Sequence, residues 1–303
     1  MLTGDAFERA RAYLFEFGRP LDRERFRFHF ESGPAAAVLA ELAAYQNGDG
    51  GFGHGLEADI RVDASSPIAT AMAFRILREI GVPDSEVARG GLAYFTTTFD
   101  RVRSAWGMVP PAVEDAPHAP WWTYAEIEKT FAGCLVNPTA EILGALYDYA
   151  GQVPADLLND LTPVVAARAA AEPQSIVHDL FVALLRLAEA ANLPEATREP
   201  LRSKLADAAP HSVALEPSRW LDYTLQPLEA LGRPDSFLAP AIPTGVVEAN
   251  LEHWIDAQLP DGSWPLTWEW AEVDADAWDQ AERDWKGKLI VDKLVTLRAF
   301  NQL

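Results

Sequence analysis

Cysteine is almost missing from this chain: Cys134 stands alone. An internal disulfide framework is thereby excluded, and a reducing compartment is the matching expectation. Long apolar runs are missing too, since none approaches the ~20 residues that a bilayer crossing requires. Residues 1–19 are interrupted by Asp5, Glu8, Arg9, Arg11 and Glu16, so a secretory leader is not expected there. Basic residues are scarce: 25 Lys and Arg face 45 Asp and Glu, a formal charge of −20. Such a balance repels phosphate backbones and anionic lipid surfaces. Nucleic acid and integral membrane roles are set aside, and an acidic cytoplasmic protein with a small-molecule substrate is expected.

Alternating β-branched runs are also few, whereas Ala and Leu dominate and apolar residues recur at three and four, the helical spacing. The fold class expected is therefore all-α. Segments 66–80, 175–190 and 288–300 are apolar most of the way round and read as buried helices. Segments 84–99, 155–171, 195–208 and 245–258 carry one apolar stripe and a charged face, which suits an outer layer. Adding 6–17, 34–46, 138–149 and 220–231 gives about six inner and five to six outer helices. Alternating layers of this kind close into an α/α toroid, here over residues 1–303 as one domain, because no linker divides the chain. Pro163 and Pro200 fall inside outer helices and are expected to shorten or kink them.

One pattern occurs twice. Gln46, Asp49, Gly50 and Phe52 follow one helix-like stretch; Gln258, Asp261, Gly262 and Trp264 follow another at the same spacing, Gln-x-x-Asp-Gly-x-aromatic. This is an internal repeat. It resembles the QW motif of the superfamily that includes terpenoid and squalene cyclases and the β subunits of protein prenyltransferases. The resemblance implies an α/α toroid in which each Gln caps a helix end and stacks on its aromatic partner, a structural role. It also implies an apolar cavity and an isoprenoid-like substrate. The superfamily's catalytic motifs are not matched. Asp274-Ala275-Asp276-Ala277 lacks the last carboxylate of Asp-x-Asp-Asp, Ala132 stands where an Asp-x-Cys zinc pair would need Asp, and Asp-Asp-x-x-Asp is absent.

In an alternating toroid the outer-to-inner connections share one end, and here those connections are long. They hold Trp106, Trp121, Trp122, Trp268, Trp270, Trp278 and Trp285, seven of the ten tryptophans. Long loops on rigid scaffolds commonly carry function. Glu57 and Asp59 are the candidate acid/base pair, with His118 and Glu141 opposite them; burial is expected to raise the pKa of Glu141 into the range of a general acid. His54, Arg61, Trp121, Trp122, Trp270, Asp274 and Asp276 are the candidate substrate contacts, Arg61 orienting an anionic group and the indoles forming walls. Each has a plainer role available: acidic residues before a helix complement its N-terminus, and indoles more often serve cores. His54, Glu57 and Asp59 offer donors at a spacing that matches no strong metal signature, so no protein-held metal is expected, although Mg²⁺ would be needed to bridge a diphosphate to an acidic mouth.

Three functions are compatible with these residues. The first is an isoprenoid-type enzyme working by carboxylate acid/base chemistry. The second is a carbohydrate-active enzyme, a hydrolase, lyase or epimerase, pairing Glu57 or Asp59 with Glu141, Asp274 or Asp276 across ~5 to 10 Å. The third is a binding module without catalysis.

Overall fold

The computed structural model describes residues 1–82 and 84–303. Among these, all regular structure is helical, with thirteen α-helices, seven short 3-10 turns and no strand. The chain divides into two compact units, residues 39–205 and residues 1–38 with 206–303. Both boundaries fall inside helices, α3 (Ala35–Ala43) and α10 (Glu195–Ser212), which is why composition marks neither of them.

In the unit 39–205, burial alternates along the chain. Helix α4 (Pro67–Glu79) starts where Ser66 accepts a hydrogen bond from the Ala69 amide at 3.1 Å and Pro67 supplies a preset φ. Every residue from Pro67 to Phe74 is buried. Helix α5 (Glu86–Thr98) is capped by Ser85 and buries one face only. A long connection of 3-10 turns and the four-residue α6 (Ile127–Thr130) leads to α7 (Thr139–Asp148), buried throughout from Thr139 to Tyr147. Helix α8 (Ala155–Ala171) is half exposed, and α9 (His178–Ala188) is apolar over most of its surface. Helix α7 packs on both α4 and α9. A side chain at Gly144 would come within 3.1 Å of the Arg186 carbonyl, so its absence allows the α9 backbone to approach α7.

In the other unit, α1 (Gly4–Phe17), α2 (Pro20–Phe30), α11 (Pro227–Leu231), α12 (Thr244–Asp256) and α13 (Ala275–Ala299) surround a core that includes Leu14, Phe26, Trp254, Trp264, Ile290 and Leu294. Asp22 is fully buried between Arg19 and Arg25, and Arg25 reaches on to Asp292 of α13 at 2.7 Å.

Several sequence expectations change here. Helix 220–231 shrinks to five residues, because Pro227 forces Gln226 into an extended conformation and the helix restarts there. Pro163 and Pro200 lie inside α8 and α10 without ending them. The last helix begins at Ala275 rather than 288, so Trp278, Glu282, Trp285 and Lys286 are helical and not in a loop. Gly287, inside this helix, serves close approach, since a Cβ there would lie 3.2 Å from the Gly18 backbone. Helix α2 is charged on all sides and has no apolar stripe for sequence reading to find.

Candidate active site

The two glutamine turns are built alike. Each begins with an amide-to-carbonyl bond from the residue after Gln, Asn47 to Gly51 and Leu259 to Ser263, both 2.8 Å. Each Asp then accepts from the backbone amide two residues on, at 2.9 Å in both. The Gln Nε2 donates to its own turn, Gln46 to Gly50 and Gln258 to Gly262, and to the first turns of a neighbouring helix, Val87 of α5 at 2.9 Å and Ala6 of α1 at 2.9 Å. Gly50 and Gly262 sit at φ 86° and 93°, and a Cβ on either would lie 2.3 Å from the backbone three residues further along that helix, at Gly90 or Arg9. Only glycine satisfies both constraints.

The first turn carries a loop, 53–66, whose two ends it fixes. Asn47 Nδ2 donates to the Asp63 carbonyl at 2.8 Å, the Ser65 hydroxyl donates to Asp49 at 2.7 Å, and the Ser66 amide donates to the Phe52 carbonyl at 2.9 Å. Within this loop lie Glu57 and Asp59, only 4% and 3% exposed. The segment holding His118 is laid against it by backbone bonds, Arg61 amide to Pro117 carbonyl at 3.0 Å and Ala119 amide to Asp59 carbonyl at 2.9 Å. Three residues on, Trp122 stacks on Phe131 and donates its indole N–H to Glu57 Oε1 at 3.2 Å. The Asp59 amide donates to the same oxygen at 3.3 Å. Both donors address Oε1, which leaves Oε2 as the atom to carry a proton.

Burial, then the neighbouring Asp59 charge, raise the Glu57 carboxyl to a pKa of about 8, against the smaller opposing pull of its two donors and Arg75. Burial beside a second carboxylate thus favours the neutral form of Glu57. Glu141 goes the other way, and the expected rise is overturned. Burial alone would push it up, but Arg186 and Arg75 outweigh burial and hold it at about 2. Arg75 of α4 grips both Glu141 oxygens, with Nη2 to Oε2 at 2.7 Å, and Arg186 of α9 donates to Oε2 at 2.8 Å. Three buried helices thus contribute one charge each to a single array.

The chain matches no family model, no curated protein and no solved structure.

Of the expected site residues, Glu57, Asp59, Arg61, His118 and Trp122 come together along the 53–66 loop, and Trp121 stands beside Trp122 on the turn Pro120–Trp122. His118 Nδ1 donates to the Ala116 carbonyl at 2.9 Å, fixing the ring. Arg61 folds back on its own loop and donates to the Ala58 carbonyl at 3.2 Å. His54 engages Asp63 at 3.1 Å and Asn47 at 2.8 Å with its two ring nitrogens, so it fastens the loop to the glutamine turn. Trp270, Asp274 and Asp276 belong to the other unit. There Asp274 caps α13 by accepting from the Ala277 amide at 3.0 Å, and Trp270 is buried edge-on to Trp278. Arg75 and Arg186 were missed from sequence. Their signal was an arginine set among apolar residues of a helix, Phe74-Arg75-Ile76 and Leu185-Arg186-Leu187, where a charge needs a partner. Among the described residues no three His, Cys, Asp or Glu side chains gather into a metal-binding group.

Proposed function

We propose that this protein is an acid/base enzyme in which Glu57 delivers a proton to an uncharged, isoprenoid-like substrate, and that the chain is a distant member of the toroid superfamily whose QW motif its turns resemble. The observation that carries this reading is the setting of Glu57, a carboxyl buried with two donors on one oxygen and the other oxygen left for the proton. Proton transfer from Glu57 to an alkene carbon breaks the π bond, forms a C–H bond and leaves a carbocation beside the Glu57 carboxylate; Asp59 stabilises the cation until loss of a neighbouring C–H proton back to Glu57 gives a rearranged alkene and restores the acid. The kinship draws support from the identical cross-links of the two glutamine turns. The second turn donates to α1 as the first donates to α5, so the same cross-link recurs although the helix that receives it lies at the far end of the chain.

Glycoside hydrolysis is less well served. It needs a second free carboxylate facing the first, and Glu141 is committed to two guanidinium groups. No step is assigned to a metal. The test is to incubate purified protein with linear polyprenes and with prenyl diphosphates, and to follow products by mass spectrometry. Conversion of a polyprene that Glu57→Gln abolishes supports the reading. Conversion that persists in the variant, or none with any polyprene while a glycoside is cleaved, overturns it.

A further inference from the structure

The unit 1–38 with 206–303 holds a cavity of about 340 Å³, and its wall includes Leu266, Trp268, Glu269, Trp278, Glu282 and Lys286. Sequence and local structure explain how it arises. The second glutamine turn ends at Trp264, which is buried and donates its indole N–H to the Trp254 carbonyl, so the chain leaves the core at a fixed point. It is anchored again at Trp270, fully buried against Trp278. Between these anchors Trp268 is wedged edge-on to Trp285 at 5.3 Å and to Tyr223 at 5.7 Å. The opposite wall comes from α13, where Trp278, Glu282 and Lys286 recur every four residues and so share one face. Lys286 Nζ lies 2.9 Å from Glu282 Oε1, which holds both side chains in place.

The polar groups of the wall define what can enter. Glu269 and Glu282 only accept hydrogen bonds, and Lys286 only donates. A ligand serving all three must do both, as hydroxyl groups do. Two carboxylates against one ammonium leave the wall net negative, which disfavours phosphates and carboxylates. Trp278 is buried against Trp270, so apolar surface for the C–H face of a ring comes from the half-buried Trp268. We propose that this cavity is a binding site for a neutral saccharide. Its wall is built from residues of that unit alone, and the proposal does not rest on the acid chemistry assigned to Glu57.

The experiment is saturation-transfer NMR with the intact protein and a panel of glucose, maltose, cellobiose, xylobiose and chitobiose, with tetramethylammonium as the cationic control. At least one sugar is expected to bind the wild type, to lose about tenfold or more in affinity in both Trp268→Ala and Glu282→Gln, and to bind Glu57→Gln unchanged. Glu282→Gln keeps size and shape, so it reports on the site even where Trp268→Ala lowers stability. Absence of binding by every sugar, binding unaltered in Glu282→Gln, or tetramethylammonium binding at these residues in place of sugar overturns the proposal. Loss of sugar binding in Glu57→Gln overturns its independence.

Discussion

Glu57 and Glu141 are each 4% exposed, and both belong to the unit 39–205, yet one is held neutral and the other ionised. Burial penalises the charged form of both equally, so it cannot be what separates them. The difference lies in what faces each carboxylate. Glu141 meets two guanidinium groups whose attraction exceeds its desolvation cost; Glu57 meets two neutral N–H groups and a like charge. A buried acid is thus a proton donor only where its partners are weak. The same helices that neutralise Glu141 leave Glu57 available for chemistry.

The largest expected effect tests the functional half of this contrast. Glu57→Gln keeps the shape and the neutral form of the folded protein and removes the proton uptake that folding requires at pH 7, so the melting temperature there should hold or rise. Turnover should fall about 10²- to 10⁴-fold, the share a general acid commonly supplies. An equal loss of turnover and stability would mean that Glu57 holds structure instead.

Glu141→Gln should do the reverse. It leaves Arg75 and Arg186 facing each other without an anion, and removing one partner of a buried pair costs about 3–5 kcal/mol. Since each guanidinium keeps roughly a quarter of its surface exposed, solvent screening brings the expected loss below that range, to about 2–3 kcal/mol. Chemical denaturation measures it directly. An unchanged midpoint would show that the array contributes little.

The pH dependence of stability should divide along the same line. The folded pKa of Glu57, about 8, lies above its unfolded value, so the folded protein binds the extra proton and stability declines as pH rises from about 4.5 through 8. The folded pKa of Glu141, about 2, lies below its unfolded value, so its contribution is present above about 4.5 and is lost as pH falls towards 2. In melts across pH, Glu57→Gln should flatten the alkaline limb and Glu141→Gln the acid limb. Glu141→Gln should also move the alkaline limb to lower pH, because Arg75 then acts on Glu57 uncompensated. Identical curves for the two variants would erase the comparison.

How far the sequence foretold this contrast depends on which link of the chain is asked about. Helical periodicity and the repeated Gln-x-x-Asp-Gly-x-aromatic pattern are local, and both survive in the structure: the turns form, and 155–171 is a helix to the residue. Glu57, Asp59, His118 and Trp122 were legible as a group because they crowd two loops rich in proline and glycine. The protonation of Glu141 was not legible, because it depends on Arg75, 66 residues earlier, and Arg186, 45 residues later. The role of Gly287 is hidden from sequence for a similar reason, since it is set by Gly18 and not by its own neighbours in the chain.

The smallest expected effect extends the comparison to the two turns themselves. Gln46→Ala and Gln258→Ala each remove two part-buried hydrogen bonds and leave carbonyls of α5 or α1 without that donor, so each should cost about 1–2 kcal/mol. Their stability losses should be alike, because the bonds are alike. Their functional losses should not. The Gln46 turn holds both ends of the loop that presents Glu57 and Asp59, whereas the Gln258 turn carries the chain towards Trp268 and α13. Turnover by folded protein should therefore fall in Gln46→Ala and stay near the wild-type value in Gln258→Ala. If the two variants lost turnover in equal measure at matched stability, the 53–66 loop would not be positioned by its own turn, and the separation of a cross-linking repeat from the site it supports would fail.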